Sequence, residues 1–217
     1  MVRKADKTYP RRKVSSIERI PVVYLDLDRT LFQTKRSGEV LLSHVGLLFP
    51  RFEVSRAIRE RDSYYVEVGD LYYHDMSRQL RENGLDPQEV YDMLSQTEVA
   101  DGRFEFEGCR ELIESIGSRA DVRVFTFGPD DYQRFKAKLC PSLTDLPVIT
   151  TLQPKAKFLE SNHDNAWLVD DRPIGDELGP NIQFVQVSLE GEPAPSDVAW
   201  PVFYSLDDLT SYFNLQF

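Results

Sequence analysis

The run Pro21-Val22-Val23-Tyr24-Leu25-Asp26-Leu27-Asp28-Arg29-Thr30-Leu31 decides the fold. An apolar, β-branched stretch ends abruptly in two carboxylates spaced i, i+2, followed by a threonine. A short run bounded by proline and charge reads as a buried strand rather than a helix. Residues two apart on a strand point to the same side, so Asp26 and Asp28 are expected to face one site. On a central strand of a parallel sheet they would emerge at its carboxyl end, where open α/β sheets bind their ligands. Two carboxylates held together repel and need a cation, a proton or both. The competing account is a surface strand end whose acids simply face water. The rest of the chain decides between them.

With 217 residues, the chain has room for one large domain or a core domain with a small insertion. Hydrophobic content of 41% and charged content of 29% are those of an ordinary globular protein. The formal charge of −10 disfavours nonspecific nucleic-acid binding, which relies on Lys and Arg neutralising phosphates. No apolar run approaches the roughly 18–20 residues that span a membrane, so no membrane association is expected. Residues 1–16 are basic, are interrupted by Pro10 and lack the apolar core of a secretory signal. A flexible tail is expected there. Cys109 and Cys140 show no CxxC or CxxH spacing, which argues against a zinc site or a disulfide framework. A reducing cytoplasm is the simplest compartment.

Downstream of the first strand, Gln33 to Gly38 reads as a turn or flap. About seventy helical-looking residues follow, with no good second strand among them. Glu39–Phe49, Phe52–Arg61 and Asp70–Glu82 are the expected helices, the last stopped by Asn83-Gly84. Asp86-Pro87-Gln88-Glu89 opens another, with Asp86 as N-cap and Pro87 in the first turn. From Phe104 the pattern changes to alternation. Helices are expected at Glu107–Ser118, Asp130–Leu139, Lys155–Ser161 and Asp207–Phe213. Strands are expected at Val122–Phe127, Val148–Thr151, Ala166–Asp171 and Ile182–Val187. Such alternation implies an α/β, doubly wound, Rossmann-like and mostly parallel sheet with right-handed crossovers.

Four strand-end signals now line up in order: Asp26-Leu27-Asp28-Arg29-Thr30, Phe125-Thr126-Phe127-Gly128, Pro154-Lys155 and Leu168-Val169-Asp170-Asp171-Arg172-Pro173. This series resembles the four motifs of the haloacid dehalogenase (HAD) superfamily, whose members are mostly magnesium-dependent phosphatases and phosphotransferases. The resemblance covers about residues 20–190, apart from a segment at the position of that family's α-helical cap. It implies a core of residues 17–34 and 105–217 with an inserted cap at 35–104.

Phosphoryl transfer needs charge neutralisation and positioning more than unusual reactivity. A carboxylate nucleophile divides hydrolysis into two steps through an acyl-phosphate. The resemblance puts Asp26 in that role and Asp28 in that of general acid and base. An acid with an ordinary pKa near 3.9 is largely ionised at pH 7, so the site would have to favour protonated Asp28 in the first step. Magnesium suits hard oxygen ligands and phosphate. Its implied ligands are the Asp26 side chain, the Asp28 backbone carbonyl and the Asp170 side chain, with Asp171 in support. Thr126 would donate its hydroxyl to a phosphoryl oxygen. Lys155 would neutralise the phosphate and Asp26, although Lys157 lies two residues away and competes for that part. Taken alone, Thr126 is explained by β-propensity and Asp170-Asp171 by a capped turn. Their place in the series promotes them.

Where many relatives have glycine after the second aspartate, this chain has Arg29. The acid at Asp28 favours phosphate chemistry over dehalogenation, whose family members lack it. His44, His74 and His163 are scattered and form no HExxH-like metal site. Tyr64, Tyr65, Tyr72 and Tyr73 with His74 concentrate aromatic rings in the cap segment, as its core or as a substrate wall. Cys109 has no base nearby and reads as structural. The expected activity is Mg2+-dependent hydrolysis of a small-molecule phosphate monoester through an aspartyl-phosphate. Phosphotransfer or phosphomutation by the same aspartate is the alternative enzyme. A low-turnover phosphate-binding or protein-interaction module is the alternative outside catalysis.

Overall fold

The computed structural model describes residues 20–162, 166–191 and 197–217. The basic segment 1–16 and His163 lie outside the described residues. The first strand, β1 (Val22–Leu25), is followed by an inserted stretch: α1 (Thr34–Leu48), α2 (Val54–Glu60), β2 (Tyr65–Val68), β3 (Leu71–His74), α3 (Met76–Glu82) and α4 (Pro87–Leu94). Alternation then begins with α5 (Cys109–Gly117), β4 (Asp121–Phe127), α6 (Asp130–Lys138), β5 (Val148–Thr151), α7 (Lys155–Asn162), β6 (Ala166–Asp170) and β7 (Ile182–Val187). It closes with β8 (Val202–Phe203) and α8 (Leu206–Gln216).

Six strands form one parallel sheet in the order β5-β4-β1-β6-β7-β8. The sequence order reverses at β1, which lies between β4 and β6. That switch point opens a crevice at the carboxyl ends of the strands. Both faces of β1 are covered, which is why its run is apolar throughout rather than alternating. Val23 and Leu25 join the larger core with Leu112 and Ile116 of α5 and Leu209 and Phe213 of α8. Tyr24 points the other way, against Phe125, Leu168 and Leu159 of α7.

Two expectations for the inserted stretch need correction. Gln33–Gly38 is not a flap: α1 starts at Thr34. Nor is the stretch free of strands, since β2 and β3 form an antiparallel hairpin, Tyr65 opposite His74 and Val68 opposite Leu71. The turn between them is Gly69-Asp70, with Gly69 at φ 61, where glycine carries no Cβ penalty. The helix expected from Asp70 therefore begins only at Met76, where the Asp75 side chain accepts the Arg78 N–H. Asn83-Gly84 ends it as expected, and the Asp86 carboxylate caps α4 through the Glu89 N–H. The short edge strand β8 was not anticipated. Among the described residues, no helix is long and apolar enough to cross a membrane.

Candidate active site

Register brings the four motifs together. Leu25 pairs with Val124 on one side and Val169 on the other, and the Asp26 N–H continues the ladder to the Val169 carbonyl at 2.9 Å. Asp26, Thr126 and Asp170 thus emerge side by side at the carboxyl edge. All three are buried. Beyond Asp26 the chain folds back in a tight loop, in which the Arg29 N–H donates to the Phe32 carbonyl at 2.8 Å. Arg29 sits at φ 65, the left-handed region a non-glycine residue rarely adopts.

The Lys155 ammonium, at the first position of α7, lies 2.5 Å from Asp26 Oδ1 and 2.6 Å from Asp170 Oδ2. Lys155 is buried and lines the cavity, whereas Lys157 is exposed and does not. Carboxylate oxygens of Asp26, Asp170 and Asp171 lie within 4.8 Å of one another. Arg29 reaches the outermost of these acids, with Nη1 3.4 Å from Asp171, while its Nε donates to Glu190. Three carboxylates around one ammonium and the edge of one guanidinium leave negative charge uncompensated. Burial pushes the Asp26 carboxyl well above the usual range against the pull of Lys155, and its acidic neighbours add to that. Asp171 is pushed up to about 7, by burial first and then by Asp170. Lys155 moves up despite its burial, because Asp170 and Asp26 hold its proton. A hard, all-oxygen donor set with this charge deficit fits a divalent cation such as Mg2+.

Asp28 faces the same cavity and keeps different company. Lys136 of α6 places its ammonium 2.5 Å from both Asp28 oxygens, Thr34 donates its hydroxyl at 2.6 Å, and Gln133 its amide at 3.1 Å. Burial raises the Asp28 carboxyl, but the Lys136 charge and these hydrogen bonds outweigh it and hold the group below its ordinary value. Lys136 is itself buried, with its ammonium 4.9 Å from the Tyr132 ring centroid. The Thr126 hydroxyl donates to Gln133 Oε1 at 3.1 Å, so Gln133 ties the second motif to the first. Gly128 makes room for that link. At φ 143, a Cβ there would fall 2.3 Å from Gln133 Nε2.

Lys136 and Gln133 were not singled out in the sequence. A signal was available: both lie on the buried face of α6 beside Tyr132 and Phe135, an unusual place for a lysine without a partner acid.

The cavity above the acids has a volume of about 660 Å³ and extends to the β2–β3 hairpin. Tyr65, Tyr72, Tyr73 and His74 all line it; Tyr64 is instead buried beneath Arg78. Tyr73 meets Phe127 edge-on at 5.9 Å and His74 meets Tyr132 at 6.1 Å, joining hairpin and core into one aromatic wall. His44 bonds Glu98, and both cysteines are buried free thiols. Burial pushes both thiols up, away from reactive thiolate.

No family model and no curated protein matches the sequence. Solved structures do match. A haloacid dehalogenase-like hydrolase from Burkholderia xenovorans LB400 is similar at TM-score 0.61 and 17% identity, over 88% of this chain and 95% of its own. The defluorinating L-2-haloacid dehalogenase Rha0230 is similar at TM-score 0.57 and 12% identity, over 89% and 94%. The HAD-hydrolase YfnB from Bacillus subtilis, bound to magnesium, is similar at TM-score 0.52 and 14% identity, over 91% and 100%. At these identities the likeness shows the fold.

Proposed function

For a chain that carries the haloacid dehalogenase-like fold, we propose a Mg2+-dependent hydrolase of small-molecule phosphate monoesters that works through an aspartyl-phosphate. Fold alone does not choose the chemistry, since a dehalogenase and a magnesium-bound hydrolase share it. The observation that carries the choice is the group of buried Asp26 and Asp170 and half-buried Asp171 around the single Lys155 ammonium. Displacing a halide needs one carboxylate nucleophile. A phosphate dianion brought onto three carboxylates needs a divalent cation to admit it.

Asp26, Asp170 and Asp171 would hold the metal, which when bound neutralises the phosphate and the acids around it. Lys155 positions the Asp26 oxygen and adds charge to the incoming phosphoryl group. Asp26 attacks phosphorus, and the bond to the leaving oxygen breaks. Water then hydrolyses the acyl-phosphate and regenerates Asp26. Asp28, held ionised by Lys136, is in the form that deprotonates this water. In the first step the leaving oxygen takes its proton from the Lys136 ammonium bonded to Asp28, and the proton that Asp28 later takes from water restores it. The inserted stretch acts as a cap, whose hairpin closes the cavity over small substrates and excludes water.

The test is phosphate release from an aryl phosphate with and without Mg2+, in the wild type and in Asp26→Asn. Metal-dependent turnover that drops at least about a thousandfold in Asp26→Asn is expected. Turnover equal in the two proteins would remove Asp26 from the reaction.

A further inference from the structure

Across the cavity from the acids lies Arg61, which opens the helical turn after α2. Several arginines here have acid partners: Arg56 pairs with Glu60, Arg78 with Glu82, Arg134 with Asp130, and Arg29 with Glu190 and Asp171. The Arg61 guanidinium makes no hydrogen bond or ion pair to any described residue, although it is half-buried. Its place is nonetheless defined. It packs against α1 at Gly38, where a Cβ would come 3.0 Å from Nη1, so the missing side chain is what admits the guanidinium. Its charge acts on Tyr65, His74 and Tyr132, beneath the larger effect of burial at each, which places it over the aromatic wall. A half-buried, unpaired guanidinium held in a cavity has lost part of its hydration and gained no counterion. An anion entering the cavity supplies one.

We propose that Arg61 receives a second anionic group, carried on the leaving group, so that the substrates are phosphate monoesters bearing a carboxylate or a second phosphate. This rests on the phosphatase reading of the acid site, where the scissile phosphate is held by Lys155 and the metal. The other end of the substrate is then fixed by the guanidinium, with the rings of Tyr65 and Tyr72 beside it. Fixing both ends orients the phosphorus toward Asp26. Simple alkyl phosphates lack the second anchor and bind less tightly.

The test uses three size-matched probes: propyl phosphate, 3-(phosphonooxy)propanoate and propane-1,3-diyl bisphosphate. Each is titrated by calorimetry in Mg2+ buffer into Asp26→Asn, so that turnover does not enter the measurement. The expected result is that at least one doubly anionic probe binds about tenfold or more tightly than propyl phosphate. The probe that does so tells carboxylate from phosphate. Adding Arg61→Gln should collapse that ratio to within about twofold, and adding Arg61→Lys, which keeps the charge, should preserve part of it. Equal affinities in the parent, or a ratio untouched by Arg61→Gln, would overturn the proposal. Phosphate release with no such preference would remove the anion subsite and leave the phosphatase. A preference without phosphate release from any probe in the wild type would do the reverse.

Discussion

At the residue scale, Asp26 and Asp28 are two residues apart and live in different electrostatic surroundings. Asp26 shares Lys155 with Asp170 in a buried acidic cluster, and its carboxyl is driven up. Asp28 accepts from Lys136, Thr34 and Gln133, and its carboxyl is driven down. Environments that push two acids apart divide their roles. The division depends on Lys136, a residue on a different element, and it can be read kinetically. In Lys136→Met the main influence lowering the Asp28 pKa is gone and its burial remains. The acid limb of the rate of aspartyl-phosphate hydrolysis, the step that uses ionised Asp28, should move to higher pH when decay of the intermediate is followed in single turnovers. An unmoved limb in the variant would mean that Lys136 does not set the ionisation of Asp28. Thr126 shows the same dependence on context. A strand threonine is unremarkable in sequence, and here its hydroxyl is tied to Gln133, which also bonds Asp28.

At the element scale, legibility followed burial pattern. β4, β6 and β7 were expected within a residue of where they lie, because strands largely buried between helices leave mostly apolar runs. The β2–β3 hairpin was missed for the complementary reason. Its strands are only partly buried, so Tyr65–Val68 and Leu71–His74 show no strong apolar run. The Gly69-Asp70 turn was the signal that could have revealed it. Packing between elements left a clearer mark at one glycine. Gly46 lets α1 approach α2 so closely that a Cβ would fall 2.1 Å from Val54 Cγ2. Gly46→Ala should therefore destabilise by about 1–3 kcal/mol through overpacking, despite the better helix propensity of alanine. Adding Val54→Ala should recover part of that loss, so the double variant is more stable than the two single losses summed. Chemical denaturation of the four proteins reads the coupling, and strict additivity would deny the contact.

At the scale of the whole molecule, the inserted stretch is tied to the core through polar contacts at its base. Ser77 of α3 donates to Asp131 of α6 at 2.6 Å, and its hydroxyl also meets the Tyr91 hydroxyl of α4 at 2.8 Å. His74 bonds Gln79, whose amide donates to the Ala57 carbonyl, joining β3, α3 and α2. Burial pulls His74 down to about 4 against the opposing hydrogen bond that its ring donates to Gln79 Oε1. A pKa depressed on folding makes His74 stabilising above its unfolded value near 6.5, and that contribution is lost as pH falls toward 4. It is worth up to about 3 kcal/mol. Asp171, raised to about 7, contributes with the opposite sign over much of the same range, so total stability against pH is not diagnostic. The difference between wild type and His74→Gln is. It should shrink as pH falls from about 6.5 to 4, and a constant difference would show that His74 does not titrate with folding.

The sequence by itself determined the central strand, the alternation behind the parallel sheet and the positions of the four motifs. These depend on apolar periodicity and on turn and capping residues close together in the chain. Only the tertiary structure decided which cation meets which acid. Lys136 is 108 residues from Asp28, Lys155 is 129 from Asp26, and Arg29 reaches across to Asp171 and Glu190. It alone left Arg61 without a partner above the same cavity. Ionisation and charge pairing follow distance and desolvation in space, and local sequence pattern carries neither.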